Sequence, residues 1–187
     1  MREFMVFREN VVLLVIDIQD KFRPVIPGIS SVIANTAKLV QAFQVFNVPV
    51  VVTEQYPGKL GTTVKEIRDV LSGNDHIEKV YFDCFCEQSF ARLLKKKYKK
   101  KKILVICGIE AHVCIFQTAL DALSRGYEVH LVTDAVSSRK RVDHETALKR
   151  LATEGVKLAT SEMLIFQMMR DAKEAHFKEI SRIVKGK

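Results

Sequence analysis

The stretch from Lys102 to Asp121, KILVICGIEAHVCIFQTALD, constrains the fold more than any other. Ile103 to Cys107 is a short, continuous apolar run, suited to a strand buried on both faces. Gly108 to Val113 is a tight connection. From Cys114 to Leu123 the apolar residues Ile115, Ala119, Ala122 and Leu123 recur at helical spacing. The spacing predicts strand, turn and helix, with Cys114 at or beside the helix N-terminus and just past the C-terminal end of a parallel strand. Open α/β sheets bind their ligands at that edge. Unpaired helix N–H groups and the helix dipole there lower a thiol pKa and bind an oxyanion. Cys114 then has two readings, an inert buried thiol or a reactive one.

The rest of the chain repeats the alternation. Val11 to Ile18 reads as a buried first strand, ending in Asp17-Ile18-Gln19-Asp20. A carboxylate there is a turn cap or a site residue. Ser30 or Ser31 can cap a helix running to about Phe46. Val48 to Thr53 reads as a second strand, followed by the Gly/Pro loop Glu54 to Thr63 and a helix from about Val64 to Leu71. Ile77 to Phe82 is a short alternating third strand. Its Lys79 is odd for a parallel sheet, and is either in water on an edge strand or buried against a carboxylate. Cys84-Phe85-Cys86 reads as alternate faces at a strand end. A helix from about Glu87 to Tyr98 leads to the fourth strand. Tyr127 to Val132 is the fifth, with Asp134 at its end. His144 to Glu154 is a helix and Val156 to Ala159 a sixth strand. Ser161 can cap the next helix, and Asp171 to Val184 forms a last amphipathic one. The fold class predicted is α/β: one doubly wound, mostly parallel six-stranded sheet with helices on both faces, a single domain over 1–187 with its core at about 11–166.

Length suits one sizeable core: 187 residues, 48% hydrophobic. No apolar stretch is long enough to span a bilayer. Val11 to Ile16 is too short and too soon followed by Asp17 for a signal peptide. Arg2 and Arg8 argue only weakly for a mitochondrial presequence, so a cytoplasmic location is the expectation. The four cysteines, Cys84, Cys86, Cys107 and Cys114, form no C-x-x-C pair and supply no zinc-ligand spacing. Neither a metal nor a cofactor is expected. Net charge is +8, and much of it sits between Lys95 and Lys102 around Tyr98. That run is either a solvated helix end or a nucleic-acid surface. Tyr98 alone gives thin support for stacking.

Three strand ends thus carry Asp17, Lys79 and Cys114. If the topology brings them together, a carboxylate accepts the thiol proton, an ammonium balances the charge and backbone N–H groups hold an oxyanion. His112 is two residues from Cys114, yet such neighbours point apart in a strand-like turn, so it reads as a positioning or packing residue. His76, His130 and His176 receive no role. Gln19, Phe22, Tyr56 and Phe82 are candidates for supporting the turn or lining a substrate pocket.

The order Asp17, Lys79, Cys114, within VIDIQDKF, IEKVYF and GIEAHVCIFQTALDA, resembles the isochorismatase-like cysteine hydrolases from about Val11 to Phe166. EQYPGKLGTTVKEI and GIEAHVC look like the isochorismatase-domain-containing subfamily. The resemblance implies an Asp17–Lys79–Cys114 triad, a non-proline cis peptide between Ile109 and Glu110, and an oxyanion hole from the Glu110 and Cys114 amides. Two departures narrow it. Siderophore-pathway isochorismatases lack the nucleophilic cysteine that stands here. The family's nicotinamidases carry an Asp-x-His metal site after the second strand, where this chain reads Thr53, Glu54, Gln55, Tyr56. The expectation is a metal-independent cysteine hydrolase acting on a small amide or acyl compound through a thioester, and a homo-oligomer. The alternatives are a nucleic-acid-associated protein, ribonuclease-like or not, or a low-activity interaction scaffold, using 95–102.

Overall fold

A strand inside a parallel sheet is covered on both faces and buries every residue. Strand β1 (Val11–Ile16) does so along its whole length. Val11, Leu13 and Val15 enter one apolar cluster, and Val12, Leu14 and Ile16 enter the other, as the two-residue period of a strand requires. The computed structural model describes residues 5–186; Arg2 lies outside them, as do the ends of the expected 1–187 domain.

Strands β2 (Val50–Gln55), β3 (Asp75–Lys79), β4 (Ile103–Ile109), β5 (Glu128–Ser137) and β6 (Lys157–Ala159) complete one six-stranded sheet in the order β3-β2-β1-β4-β5-β6. Every neighbouring pair is parallel. The chain moves outward from β1 to β2 and β3, then crosses back to β4 on the other side of β1. The strand order reverses there, and an open α/β sheet has its ligand crevice at such a point.

Helices α1 (Ile29–Val45), α7 (Ser161–Met169) and α8 (Phe177–Lys185) cover one face. Helices α4 (Gln88–Lys96), α5 (Phe116–Ser124) and α6 (Arg141–Thr153) cover the other. Fully buried Phe43 and Phe90 anchor the two layers, each burial contributing about 1.5–3 kcal/mol. Among the described residues no helix is long and apolar enough to cross a membrane.

Several local expectations give way to longer-range bonds. The helix expected over Val64 to Leu71 shrinks to α3 (Lys65–Arg68), because the Val64 N–H bonds the Ile18 carbonyl at 2.9 Å and holds Val64 extended. The loop Glu54 to Thr63 holds a short α2 (Pro57–Leu60), and its first two residues belong to β2. Strand β3 stops at Lys79, whose carbonyl accepts the Tyr56 N–H at 2.8 Å, so Val80 to Phe82 leave the sheet. Cys84–Cys86 is a 3-10 turn, not a strand end. Neither Ser30 nor Ser31 caps α1, which starts at Ile29 after Gly28 in the left-handed region. Asp134 lies inside β5, not at its end, and takes both the N–H and the hydroxyl of Ser161. Thr160 is therefore the cap of α7, accepting the Met163 N–H. The last helix begins at Phe177 instead of Asp171, after Arg170 turns the chain at φ 64°.

Candidate active site

Asp17 is the first residue past β1 and sits at φ 54°. Asp tolerates that left-handed conformation better than most residues. Its N–H is held by the Thr53 carbonyl at 3.1 Å and its Oδ1 accepts the Thr53 hydroxyl at 2.7 Å. Thr53 pairs with Ile16 in the β1–β2 register, so one residue of register places both contacts.

Lys79 ends β3, two strands away. Its side chain runs back beneath the sheet edge, and Nζ donates to Asp17 Oδ2 at 2.7 Å and to Gln55 Oε1 at 2.7 Å. The carbonyl of Tyr81 accepts a further bond at 3.2 Å. Of the two expectations for Lys79, the water-exposed one fails: β3 is an edge strand, yet Lys79 is only 2% exposed and lies against a carboxylate 1% exposed.

Cys114 comes from β4. A cis peptide joins Ile109 to Glu110, and the chain then makes a π-helical turn, Ala111–Ile115, before α5. That turn replaces the regular helix expected from Cys114. It puts the thiol in the electrostatic field of both the Asp17 carboxylate and the Lys79 ammonium. Glu110 is the anchor: its carboxylate takes the Arg139 N–H at 2.9 Å and the Arg139 guanidinium at 3.1 Å, from just past β5. His112 Nδ1 sits 3.0 Å from the Ser138 hydroxyl and so also ties the turn to β5. Asp17, Lys79 and Cys114 therefore meet at the switch point between β1 and β4.

The Cys114 shift runs opposite to the lowering that a helix N-terminus alone would produce. Burial pushes the Cys114 pKa above the ordinary thiol range, the Asp17 carboxylate adds to that, and Lys79 opposes it too weakly to reverse it. Burial would lower the Lys79 pKa, but Asp17, Cys84 and Cys114 outweigh it and the ammonium is held above its usual value. Cys84 and Cys107 are likewise pushed up by burial, each to about 12. A thiol with a raised folded pKa keeps its proton where the unfolded chain has lost it. Folding stability is then full below the unfolded pKa of roughly 8.5 and is lost as pH rises toward the folded value, by up to about 1.4 kcal/mol per thiol per pH unit. Urea denaturation between pH 8 and 10 should show this decline. Cys107→Ala, which removes one such thiol, should show a shallower one; equal slopes would contradict it.

The four pocket candidates separate. Gln19 is fully buried and its amide is consumed: Nε2 donates to the carbonyls of Gln55 (3.0 Å) and Gly61 (2.6 Å), and Oε1 accepts the Gln55 N–H at 2.8 Å. It braces the loop after β2. Phe22 packs half-buried on the α1 face. Tyr56 and Phe82 are 48% and 53% exposed, on the loops after β2 and β3. Cys86 is exposed. Thr53, Gln55 and Arg139 escaped the sequence reading, because only strand register and the β5 turn bring them in.

The Isochorismatase domain family model matches residues 11–163. Isochorismatase domain-containing protein 2 of Danio rerio is 43% identical over 173 residues, covering 92% of this chain and 86% of its own length. Isochorismatase domain-containing protein 2A of Mus musculus is 42% identical over 180 residues, covering 95% and 84%. The solved structure of MAR1 ribonuclease from Caenorhabditis elegans superposes with a TM-score of 0.91 at 34% identity, over 97% of this chain and 92% of that one. With the family model spanning most of its length and relatives above 40% identity, this chain belongs to the isochorismatase family and is a hydrolase of that fold.

Proposed function

We propose that this chain is a cysteine hydrolase that cleaves a small amide or related acyl compound through a thioester on Cys114. The observation that carries this reading is the buried Asp17 carboxylate, bound by the Lys79 ammonium at 2.7 Å, with both charges acting on the buried Cys114 thiol.

The raised thiol pKa fits this chemistry. Release of the Cys114 proton to solvent would leave an extra negative charge in a buried site. Transfer of the same proton to Asp17 leaves the net charge of the three groups at zero. The thiol therefore stays neutral until a substrate carbonyl arrives. Asp17 then takes the proton as Sγ bonds to the carbonyl carbon, and the Glu110 and Cys114 amides hold the oxyanion. The tetrahedral intermediate collapses, the C–N bond breaks, and Asp17 returns the proton to the departing amine. Water, deprotonated by Asp17, opens the thioester and frees the acid; the proton passes back to sulfur. Lys79 keeps its proton throughout. Cys114 is only 7% exposed, which favours small substrates. Thr53 and Gln55 are positioning residues, fixing the carboxylate and the ammonium.

The test is a panel of small amides and esters, with acid quench and intact-mass measurement. A hydrolysed substrate should leave a transient acyl adduct on Cys114. Cys114→Ala should show neither adduct nor turnover, a loss of about a thousandfold or more. Undiminished turnover by Cys114→Ala, with the fold intact by circular dichroism, would sink the proposal.

A further inference from the structure

The basic stretch 95–102 does not present one uniform surface. Lys97 is bound to Asp75 at 2.8 Å, and Tyr98 is buried with its hydroxyl on the same carboxylate. Lys101 turns back to the Arg8 carbonyl at 3.1 Å. Lys100 is exposed and outside the cleft. Lys95, Lys96, Lys99 and Lys102 line a cleft of about 720 Å³ together with Arg92 and Arg125. Among the described residues no carboxylate lies within salt-bridge reach of those four lysines. Arg92 reaches only Gln88, at 3.3 Å. Arg125 alone is neutralised, by Asp121, through two bonds of 2.9 Å.

Five uncompensated cations thus converge on one concavity. Their mutual repulsion opposes folding, and an anion carrying several charges would relieve it. The cleft also has an aromatic wall. The Arg125 guanidinium lies 4.7 Å from the centre of the Phe85 ring, and the Phe85 and Tyr127 rings are 5.9 Å apart. The carboxylate on one side and the ring on the other hold the guanidinium plane, and Tyr127 stands beside it in the lining. A flat guanidinium and a tyrosine ring together suit an unpaired base, which has a π-face; an acidic peptide has no such group on its charged side chains. A base paired within a duplex does not expose its face to a wall of this kind.

Lys102 and Tyr127 immediately precede β4 and β5, at the sheet edge opposite Asp17 and Cys114. The seven residues of β4 separate the two edges by roughly 20 Å. The cleft is therefore independent of the proposed hydrolase centre.

We infer that this cleft binds single-stranded nucleic acid, with backbone phosphates on Arg92, Lys95, Lys96, Lys99 and Lys102 and a base against Arg125 and Tyr127. The full chain is titrated against a fluorescein-labelled mixed-sequence 12-mer RNA, read by anisotropy. With about four phosphates engaged, affinity should fall about fiftyfold between 50 and 200 mM NaCl. Replacing Lys95, Lys96, Lys99 and Lys102 together by Gln should abolish binding. Replacing the exposed Lys149, Lys173, Lys178 and Lys185 by Gln removes the same net charge and should leave most of the affinity. Tyr127→Ala should weaken binding about five- to tenfold at an unchanged salt slope, with Tyr127→Phe near wild type. The inference is overturned by an absence of binding at 50 mM NaCl, by equal losses in the two lysine variants, or by equal affinity for a polyglutamate peptide of matched charge.

Discussion

Lys79→Met should lose both turnover and about 3–5 kcal/mol of folding stability, because it leaves the Asp17 carboxylate buried without its counter-charge. The Lys79 side chain is wholly buried and its Nζ is 2.7 Å from Asp17 Oδ2. Methionine is unbranched and only one heavy atom shorter, so packing is largely kept and most of the deficit reports the stranded charge. Gln55 Oε1 loses its donor in the same stroke. The diagnostic is the second substitution. Asp17→Asn added to Lys79→Met removes the stranded charge, so the double variant should recover at least about 1 kcal/mol relative to the sum of the single losses. Turnover should not return, because the asparagine has no carboxylate to accept the Cys114 proton. Urea denaturation at pH 7.5 and the amide assay read the two effects separately. Strict additivity of the stabilities would mean that the pair is not coupled as its geometry requires.

What the sequence makes legible here is whatever depends on period and local order. Val11 to Ile16 announces a doubly buried strand because parallel pairing covers both faces, and its odd and even residues divide between the two apolar clusters. Lys79 is visible as an anomaly, since a lysine in such a strand needs a reason. The non-proline cis bond at Ile109–Glu110 and the order of Asp17, Lys79 and Cys114 came through family resemblance, not through spacing. The rest is long-range. Thr53 reaches Asp17 only through the β1–β2 register, and Arg139 reaches Glu110 only because β5 runs on to Ser137 beside Ile109. The sign of the thiol shift was missed for a related reason: the helix terminus is a local property, whereas burial is a property of the whole fold. The lysine run shows the same limit, because the partition between Lys97 on Asp75 and Lys95 in the cleft cannot be read from eight adjacent positions.

Gly108→Ala should be the most damaging change of a single methyl group in the chain's β4. Gly108 has φ 126°, a conformation an alanine adopts only under strain. A Cβ there would lie 2.0 Å from the Ile16 carbonyl oxygen and 2.7 Å from the Ile16 nitrogen. Both obstacles are backbone, so no side-chain rotation relieves them. The register shift between Ile106 and Gly108 already marks where β4 leaves regular pairing. Ile16 directly precedes Asp17, and the chain from Gly108 leads through the Ile109–Glu110 bond to Cys114. Separating β1 from β4 at this point moves the carboxylate away from the thiol. We expect a loss of about 3 kcal/mol or more from strain and backbone displacement. In the fraction that folds, a displacement of roughly 1 Å between acceptor and nucleophile should cost about a hundredfold in turnover. Gly58→Ala is the reference, since nothing lies within 4 Å of its Cβ position and its φ falls outside the left-handed region. That variant should stay within about 0.5 kcal/mol of the parent. If Gly108→Ala denatured in urea alongside Gly58→Ala and kept its turnover, the close approach of β4 to β1 would not be what sets the distance between Asp17 and Cys114.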